Sequence, residues 1–453
     1  MLSYIEEHIK KYDVDYIEIR IEDTISTSIT ISSNKIENIS KRNSLGGSVR
    51  VLYNGGWGFA SFNNIDKLHE YIEKAISMAK NAKYKEHKQI NKEFGNYKGE
   101  FYSPFLKDPT QIDLEEKLNL MLYYNNILQK GKRIVNTNVR YADFKRIKYY
   151  GNSLGTLIKE TTIGTGAFLL VIGRDGNNVQ QAYHSVGEMM GFEVVEDLEK
   201  DAERIVNLVE DLLDAPKVEG GRKTVILDPK LTGVFTHEAF GHLSEADFLY
   251  KNKEMQEKMK IGTIFGPEFL NIVDDATIRG ARGFYYFDDE GVPAQKTYLI
   301  KEGKLIGRLH SRETAFYMNE TPTGNARALN YTFAPIVRMS CTFIEPHESK
   351  FEEMLEGIED GIYACGMLGG NTDLDMFTFS AEYGYEIKNG KITRLVRDVI
   401  LTGNVFETLK NIEMIGDDFK LYGGMGGCGK EGQSPLPVSD GGPHIRIKDV
   451  LIG

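Results

Sequence analysis

Cysteine is scarce in this chain: Cys341, Cys365 and Cys428 are the three among 453 residues. An odd number set far apart does not form a disulfide framework, so a reducing, cytoplasmic setting is expected. In such a setting a cysteine serves as a thiol or a metal ligand rather than a staple. Long apolar runs are missing too. None approaches the ~18–20 residues that span a bilayer, so no membrane association is expected. The start, Met1-Leu2-Ser3-Tyr4-Ile5-Glu6-Glu7, is acidic where a signal peptide is basic. Positive charge is also short, with 55 Lys and Arg against 66 Asp and Glu, a formal net charge of −11. A nucleic-acid binder needs a basic footprint to displace counterions, which argues against that class of partner.

What remains is a globular composition, 41% hydrophobic and 27% charged, long enough for two or three domains. Tyr16, Glu18, Arg20 and Glu22 alternate with Ile17, Ile19 and Ile21, the period of a half-buried strand. Residues 49–62 read as a hairpin, with Asn54-Gly55 supplying positive φ at the turn. Ile65, Leu68, Ile72, Ala75, Ile76 and Ala79 then recur at helical spacing. A lysine-rich, apolar-poor stretch from Lys80 to Lys98 reads as a linker. Beyond it, Thr110-Gln111-Ile112-Asp113 resembles a capping box ahead of a helix with Leu114, Leu118, Met121 and Leu128. A hairpin over 167–185 turns at Asp175-Gly176, and a second amphipathic helix carries Leu198, Ala202, Ile205, Val209 and Leu212.

The hairpin-then-helix order thus occurs twice, without an alignment close enough to establish a duplication. Pro216 to Gly221 marks the next boundary. After it, Thr224–Leu227 reads as a strand and Pro229 suits the first turn of a helix. Lys301-Glu302-Gly303-Lys304 and Lys388-Asn389-Gly390-Lys391 are hairpin turns, with a helix around Phe351, Leu355 and Ile358 between them. From Gly423 onward the chain reads as glycine- and proline-rich loop, too irregular for a core element. The fold expected is α+β: antiparallel hairpins with packed helices over residues 1–90 and 110–218, a linker over 91–109, and a strand-rich domain over 219–453.

The helix opened by Pro229 carries His237-Glu238-Ala239-Phe240-Gly241-His242. Two imidazoles and a carboxylate are the parts of a zinc hydrolase, two neutral ligands and a general base. The spacing is unusual, because zinc-protease helices carry their histidines four apart. Five positions turn about 140°, which points the rings of a regular helix in different directions. A π-type bulge would bring His237 and His242 together, and the small Gly241 lies inside the widened turn. A third ligand is required. Glu245 and Asp247 are the local candidates. Cys428, in Gly423-Gly424-Met425-Gly426-Gly427-Cys428-Gly429-Lys430, is the distant one. Cys341 and Cys365 read as core.

Two other motifs fail on context. Gly424 to Lys430 fits Gly-x-x-x-x-Gly-Lys, but Glu431 stands where a phosphate-binding loop needs Ser or Thr, so a nucleotide-binding regulator is the weakest reading. Gly151-Asn152-Ser153-Leu154-Gly155 fits a nucleophile elbow, yet strand-like sequence follows it instead of a helix.

Over nearly its whole length the chain resembles the TldD/PmbA family, described as modulators of DNA gyrase, and specifically its metal-binding TldD branch. The resemblance is carried by His237 to Asp247, Asp288-Asp289-Glu290-Gly291, Thr323-Gly324-Asn325-Ala326-Arg327 and Gly427-Cys428-Gly429-Lys430-Glu431-Gly432-Gln433. PmbA-like paralogues lack the histidine motif, which this chain keeps. Ala246 stands where the branch commonly has glycine. The resemblance implies a C-terminal metallopeptidase domain holding Zn2+ on His237, His242 and Cys428, with Glu238 as general base and unfolded or flexible peptides as substrates. It moves Glu245 to a supporting role. It also implies a homodimer, or a heterodimer with a PmbA-like paralogue, and bacterial members of such pairs mature peptide antibiotics. The competing reading is a non-catalytic zinc-containing protein that binds a partner polypeptide or regulates a gyrase-related system.

Overall fold

The computed structural model describes residues 1–82, 87–373 and 375–453. Strand β1 (Tyr16–Ser32) and β2 (Lys35–Tyr53) form a long antiparallel ribbon, and β3 (Gly56–Phe62) returns after Asn54 and Gly55, both at positive φ. Helix α1 (Leu2–Ile9) precedes them and α2 (Leu68–Asn81) follows. Gly58 lets α2 approach, since a Cβ there would lie 1.8 Å from the Ala75 carbonyl oxygen. Ile5, Leu68, Ile72 and Ala75 pack on Ile17, Ile19, Ile21, Val49 and Val51 in one apolar cluster.

The second unit repeats the pattern on a larger scale. Strand β4 (Lys98–Tyr102) leads to α3 (Leu114–Leu128), then β5 (Ile134–Asn152), β6 (Leu157–Asp175), β7 (Asn178–Glu188) and α4 (Glu199–Asp214). Met121, Tyr124 and Leu128 of α3 and Ala202, Ile205 and Val209 of α4 cover Val139, Leu169 and Val171. The capping-box reading at Thr110 is corrected. Thr110 lies in a short 3-10 turn capped by Asp108, and α3 begins only at Leu114 after Asp113. Pro109 and the Asp108 side chain, which accepts from the Thr110 N–H at 2.9 Å, claim that segment first.

The two units share one seven-stranded sheet, in the order β3-β2-β1-β5-β6, with β4 and β7 both paired to β6. β1 and β5 pair without a break from Glu18↔Asn152 to Ser32↔Asn138. Ser153, in the elbow-like motif, ties this turn to β1 through Ile17 and starts no helix. Of the stretch read as a linker, residues 83–86 lie outside the described residues. The rest is strapped down: buried Arg312 donates to the carbonyls of Asn91, Glu93 and Phe94, and β4 runs parallel to β6.

The alternation in β1 predicts one solvated face, and here the structure differs. Glu18, Arg20 and Glu22 are 4%, 4% and 3% exposed. They face the C-terminal region, where Arg20 lies 3.0 Å from Asp289, and Arg50 bridges Glu18 and Glu290 at 3.3 and 2.6 Å. The polar face is buried because ion pairs from another part of the chain satisfy it.

The C-terminal region builds two sheets around a buried helix, α5 (Pro229–Thr236). Strand β8 (Gly221–Leu227) lies inside a nine-stranded sheet, parallel to Asp360–Cys365 and antiparallel to Ile445–Ile452. A six-stranded sheet contains Ile272–Asp275, Cys341–Ile344 and Ser439–Gly442. Cys341 and Cys365 are core residues, 0% and 2% exposed. The reading of the last residues as loop is corrected: four strands run between Cys428 and Ile452. Ser439–Gly442 is a strand because α5 presses on it. A Cβ on Gly233 would lie 2.3 Å from the Gly441 nitrogen, so glycine here marks close packing. Among the described residues no helix is long and apolar enough to cross a membrane.

Candidate metal centre

Asp228 caps α5, accepting from the Leu231 N–H at 2.7 Å, and its second oxygen accepts from Gly366 N–H at 3.0 Å. The helix is regular to Thr236. His237–Gly241 then form a π turn in which the His242 N–H donates to the His237 carbonyl, five residues back. This is the irregularity that the five-residue spacing predicts. Gly241 is required inside it, since a Cβ there would lie 2.1 Å from Met339 Sδ. A 3-10 turn over His242–Ser244 ends the helix.

The widened turn sets the two imidazole rings 5.2 Å apart and nearly perpendicular, at 89°. Cys428 meets them from a hairpin formed by Cys428–Lys430 and Gln433–Leu436. Its Sγ lies 3.5 Å from His242 Nε2. One donor atom from each of His237, His242 and Cys428 falls within 4.8 Å of the others. Fully buried Arg338 holds the hairpin in place, donating to the carbonyls of Cys428 at 2.6 Å and Gln433 at 3.1 Å. Gly427 permits its close fold, because a Cβ would lie 2.3 Å from the Leu436 oxygen.

Glu245 is buried and does not join the three donors. Its Oε2 lies 3.0 Å from His242 Nδ1, which leaves Nε2 of that ring turned to Cys428. The same oxygen accepts from Lys430 Nζ at 3.0 Å, and Lys430 also donates to Asp247 at 2.6 Å and to the Val337 carbonyl at 2.9 Å. Both local ligand candidates are thus engaged by Lys430.

Burial alone pushes the Cys428 thiol up, but the two imidazoles outweigh it and hold the group at about 5. For His242, burial favours the neutral ring, and Cys428 with Glu245 reverses this, to about 10. Burial also favours the neutral His237 ring, and Cys428, aided by Glu238, turns its shift upward. The sulfur therefore carries negative charge near neutral pH. His237 Nδ1 is buried without a hydrogen-bond partner. Two imidazoles and a thiolate suit Zn2+ chemically, and a metal arriving here displaces the imidazole protons.

These groups open onto a cavity of about 960 Å3 between the second unit and the C-terminal region. Glu238 lines it beside His237, His242 and Cys428, and Asp440 and Lys230 stand on the same wall. β6 and β7 also line it, through Phe168, Gln181, Tyr183 and Ser185. Three donors and a carboxylate on one deep cleft are the makings of a hydrolytic metal site.

Models of the PmbA/TldA metallopeptidase match all three regions of the chain: domain 1 over residues 17–79, the central domain over 107–213 and the C-terminal domain over 220–453. The chain belongs to the TldD/PmbA metallopeptidase family. It is similar to a metalloprotease from Synechocystis, 44% identical over 97% of this chain and 95% of the relative. A zinc metalloprotease TldD homolog from Saccharolobus solfataricus is 29% identical, over 100% of this chain and 99% of the other. Two solved structures share the fold. One is a candidate modulator of a DNA gyrase from Thermotoga maritima, with a TM-score of 0.80 at 21% identity, covering 100% and 99% of the two chains. The other is TldE from Thermococcus kodakarensis, with a TM-score of 0.78 at 19% identity and the same coverage.

Three side chains around the centre of this metallopeptidase escaped sequence reasoning. Lys430 appears in the false phosphate loop and in the glycine-rich segment around Cys428, but without a role of its own. Arg338 reads as an ordinary charge between apolar residues. Asp440, pushed up to about 6 by burial that outweighs the pull of His237 and Lys230, lies in the tail read as loop. An Asp-Gly-Gly run between two prolines carried no signal that a buried strand begins there.

Proposed function

We propose that this metallopeptidase uses Zn2+ held by His237, His242 and Cys428 to hydrolyse peptide bonds in unfolded or flexible peptides. The observation that carries the reading is the convergence of two imidazoles and a thiolate, with Glu238 on the same cleft. Zinc bound there supplies Lewis acidity that makes water a nucleophile near neutral pH. Glu238 takes the proton of the attacking water on its carboxylate and delivers it to the leaving amine. Glu245 and Lys430 hold the His242 ring and the Cys428 hairpin in fixed relation, so the donor set is in place before substrate arrives.

The cleft favours an extended chain over a folded one. Among the described residues β7 pairs with no strand but β6, although the Tyr183 N–H donates to Glu382 at 2.9 Å, and Gln181, Tyr183 and Ser185 of β7 line the cleft. A peptide added along this edge is held by its backbone, which makes recognition tolerant of side chains. A folded substrate has few free backbone groups to offer. The homodimer, or heterodimer with a PmbA-like paralogue, belongs to the same proposal.

The test pairs metal analysis of the wild type and Cys428→Ser with cleavage of several unstructured peptides, with and without chelator. Wild type should hold about one zinc per chain and lose activity to chelator, and Cys428→Ser should lose most of its metal. Tightly held zinc without any hydrolysis that depends on Glu238 would overturn the reading in favour of a non-catalytic, polypeptide-binding protein.

A further inference from the structure

A second cavity, of about 380 Å3, lies between the polar face of the seven-stranded sheet and the loops of the C-terminal region. It sits behind the hairpin that carries Cys428. Leu436, the register partner of Cys428, lines this cavity while Cys428 lines the metal cleft. Phe144, Phe284 and Phe287 give it an apolar wall, and Arg146 and Arg327 give it positive charge.

The carboxylates on its wall are already engaged. Asp289 accepts from the Ala328 N–H at 2.9 Å and lies 3.0 Å from Arg20 and 3.3 Å from Lys148. Asp288 accepts from the backbone N–H groups of Glu290, Val292 and Ala326, and burial, aided by Glu290, pushes its carboxyl well above the usual range. Glu22 stands 3.5 Å from Arg20.

Arg146 has no such partner. Among the described residues no ion pair or hydrogen bond reaches its guanidinium, and its Nε is buried without an acceptor. The group leans 5.8 Å from the Phe144 ring centroid, and Asp289 acts on it only through the longer-range field. Arg327 donates to the carbonyls of Met339 at 2.6 Å and Pro437 at 2.7 Å, and among the described residues no carboxylate forms an ion pair with it, Asp289 and Asp274 acting only at longer range. Behind them Arg282 is a third guanidinium with a buried, unpaired Nε. Burial, with Arg327 and Arg146 repelling it, brings Arg282 down to about 10. Its acidic neighbour, Glu188, is itself raised to about 7 by burial, so it neutralises the cluster incompletely at neutral pH.

Buried donors left open beside mutually repelling cations cost stability unless an anion completes them. The aromatic wall adds a second requirement, an apolar body next to the charge. We infer that this cavity is a binding site for a carboxylate joined to an apolar group, with Arg146 as its principal anchor. Two sources have that chemistry, the free C-terminus of a peptide ending in an apolar residue and a small free carboxylic acid. A guanidinium presents paired N–H groups that match either one. The inference does not rest on the metal reading, because none of its residues is a proposed ligand.

The test is calorimetric binding to the full chain in the Glu238→Gln background, so that no probe is consumed. The probes are N-acetyl-phenylalanine, its amide, an unstructured pentapeptide ending in phenylalanine, and that peptide amidated. The free acids should bind at least about tenfold more tightly than the amides. Arg146→Gln should remove that preference, Arg146→Lys should keep part of it, and Cys428→Ser should leave it intact. A peptide acid that outbinds the amino acid identifies a chain terminus as the ligand, and equal affinity identifies the small acid. Equal binding of acids and amides, or an Arg146→Gln protein that still prefers acids while melting at the wild-type temperature, overturns the inference.

Discussion

Lys430 Nζ lies 3.0 Å from Glu245 Oε2, and through this contact the hairpin bearing Cys428 is fastened to the turn bearing His242. The pair is nearly buried, with Glu245 2% exposed. Lys430→Met therefore removes the cation that Glu245 and Asp247 share. Metal affinity should fall by about 10–100-fold, the usual effect of losing a group that orients a ligand. Stability should drop by roughly 3–5 kcal/mol, because a buried carboxylate loses its partner. Chelator competition and denaturant unfolding read the two effects separately, and unchanged metal affinity would remove Lys430 from the positioning role.

Among the described residues no side-chain hydrogen bond or ion pair reaches the Glu238 carboxylate, which lines the cleft, whereas Oε2 of Glu245 is held by His242 and Lys430. Glu238→Gln keeps shape and removes only the base. It should retain metal at the wild-type level and lose about 10²–10⁴ in turnover. Cleavage at the wild-type rate by the metal-loaded variant would falsify the assignment.

Gly241 faces Met339 Sδ at a distance that leaves no room for a Cβ. Gly241→Ala should cost about 1–3 kcal/mol through overpacking and should also disturb the π turn. Met339→Ala, combined with it, should recover part of both the melting temperature and the metal content. If the double variant is no more stable than expected from two independent losses, the contact is not the cause.

His184, on the cleft-lining strand β7, is brought down to about 4 mainly by burial, despite Asp201 nearby. Below about 6.5 the unfolded chain takes up a proton that the native ring refuses, so stability falls as pH drops from 6.5 towards 4. The contribution is fully present above 6.5 and amounts to about 3 kcal/mol. His184→Gln should flatten that part of the unfolding profile relative to wild type. An identical slope in both proteins would count against it.

Several elements were legible because their signals are local. Asn54-Gly55 and Asn389-Gly390 take positive φ and close the expected hairpins. Ala202, Ile205, Val209 and Leu212 are buried on the face that their spacing describes. The histidine spacing called for a widened turn, and the turn is there. Elsewhere the local signal misled. Thr110 has the composition of a cap, but Asp108 and Pro109 form their own turn first. The glycines near the C-terminus resemble loop, yet two of them accept the close approach of α5 and the strand carrying Lys420.

By itself the sequence determined the periodicities, the turns and the chemical parts: two imidazoles, one carboxylate and a thiol of uncertain placement. Those follow from interactions within a few residues, which a linear pattern records. Tertiary structure alone decided that Cys428 reaches His242 across 186 positions, and that Lys430 engages Glu245 across 185. It also decided that the polar face of β1 is buried against Asp289 and Glu290. Such contacts depend on sheet order and on which charges meet when sheets close, and spacing along a chain carries no record of either.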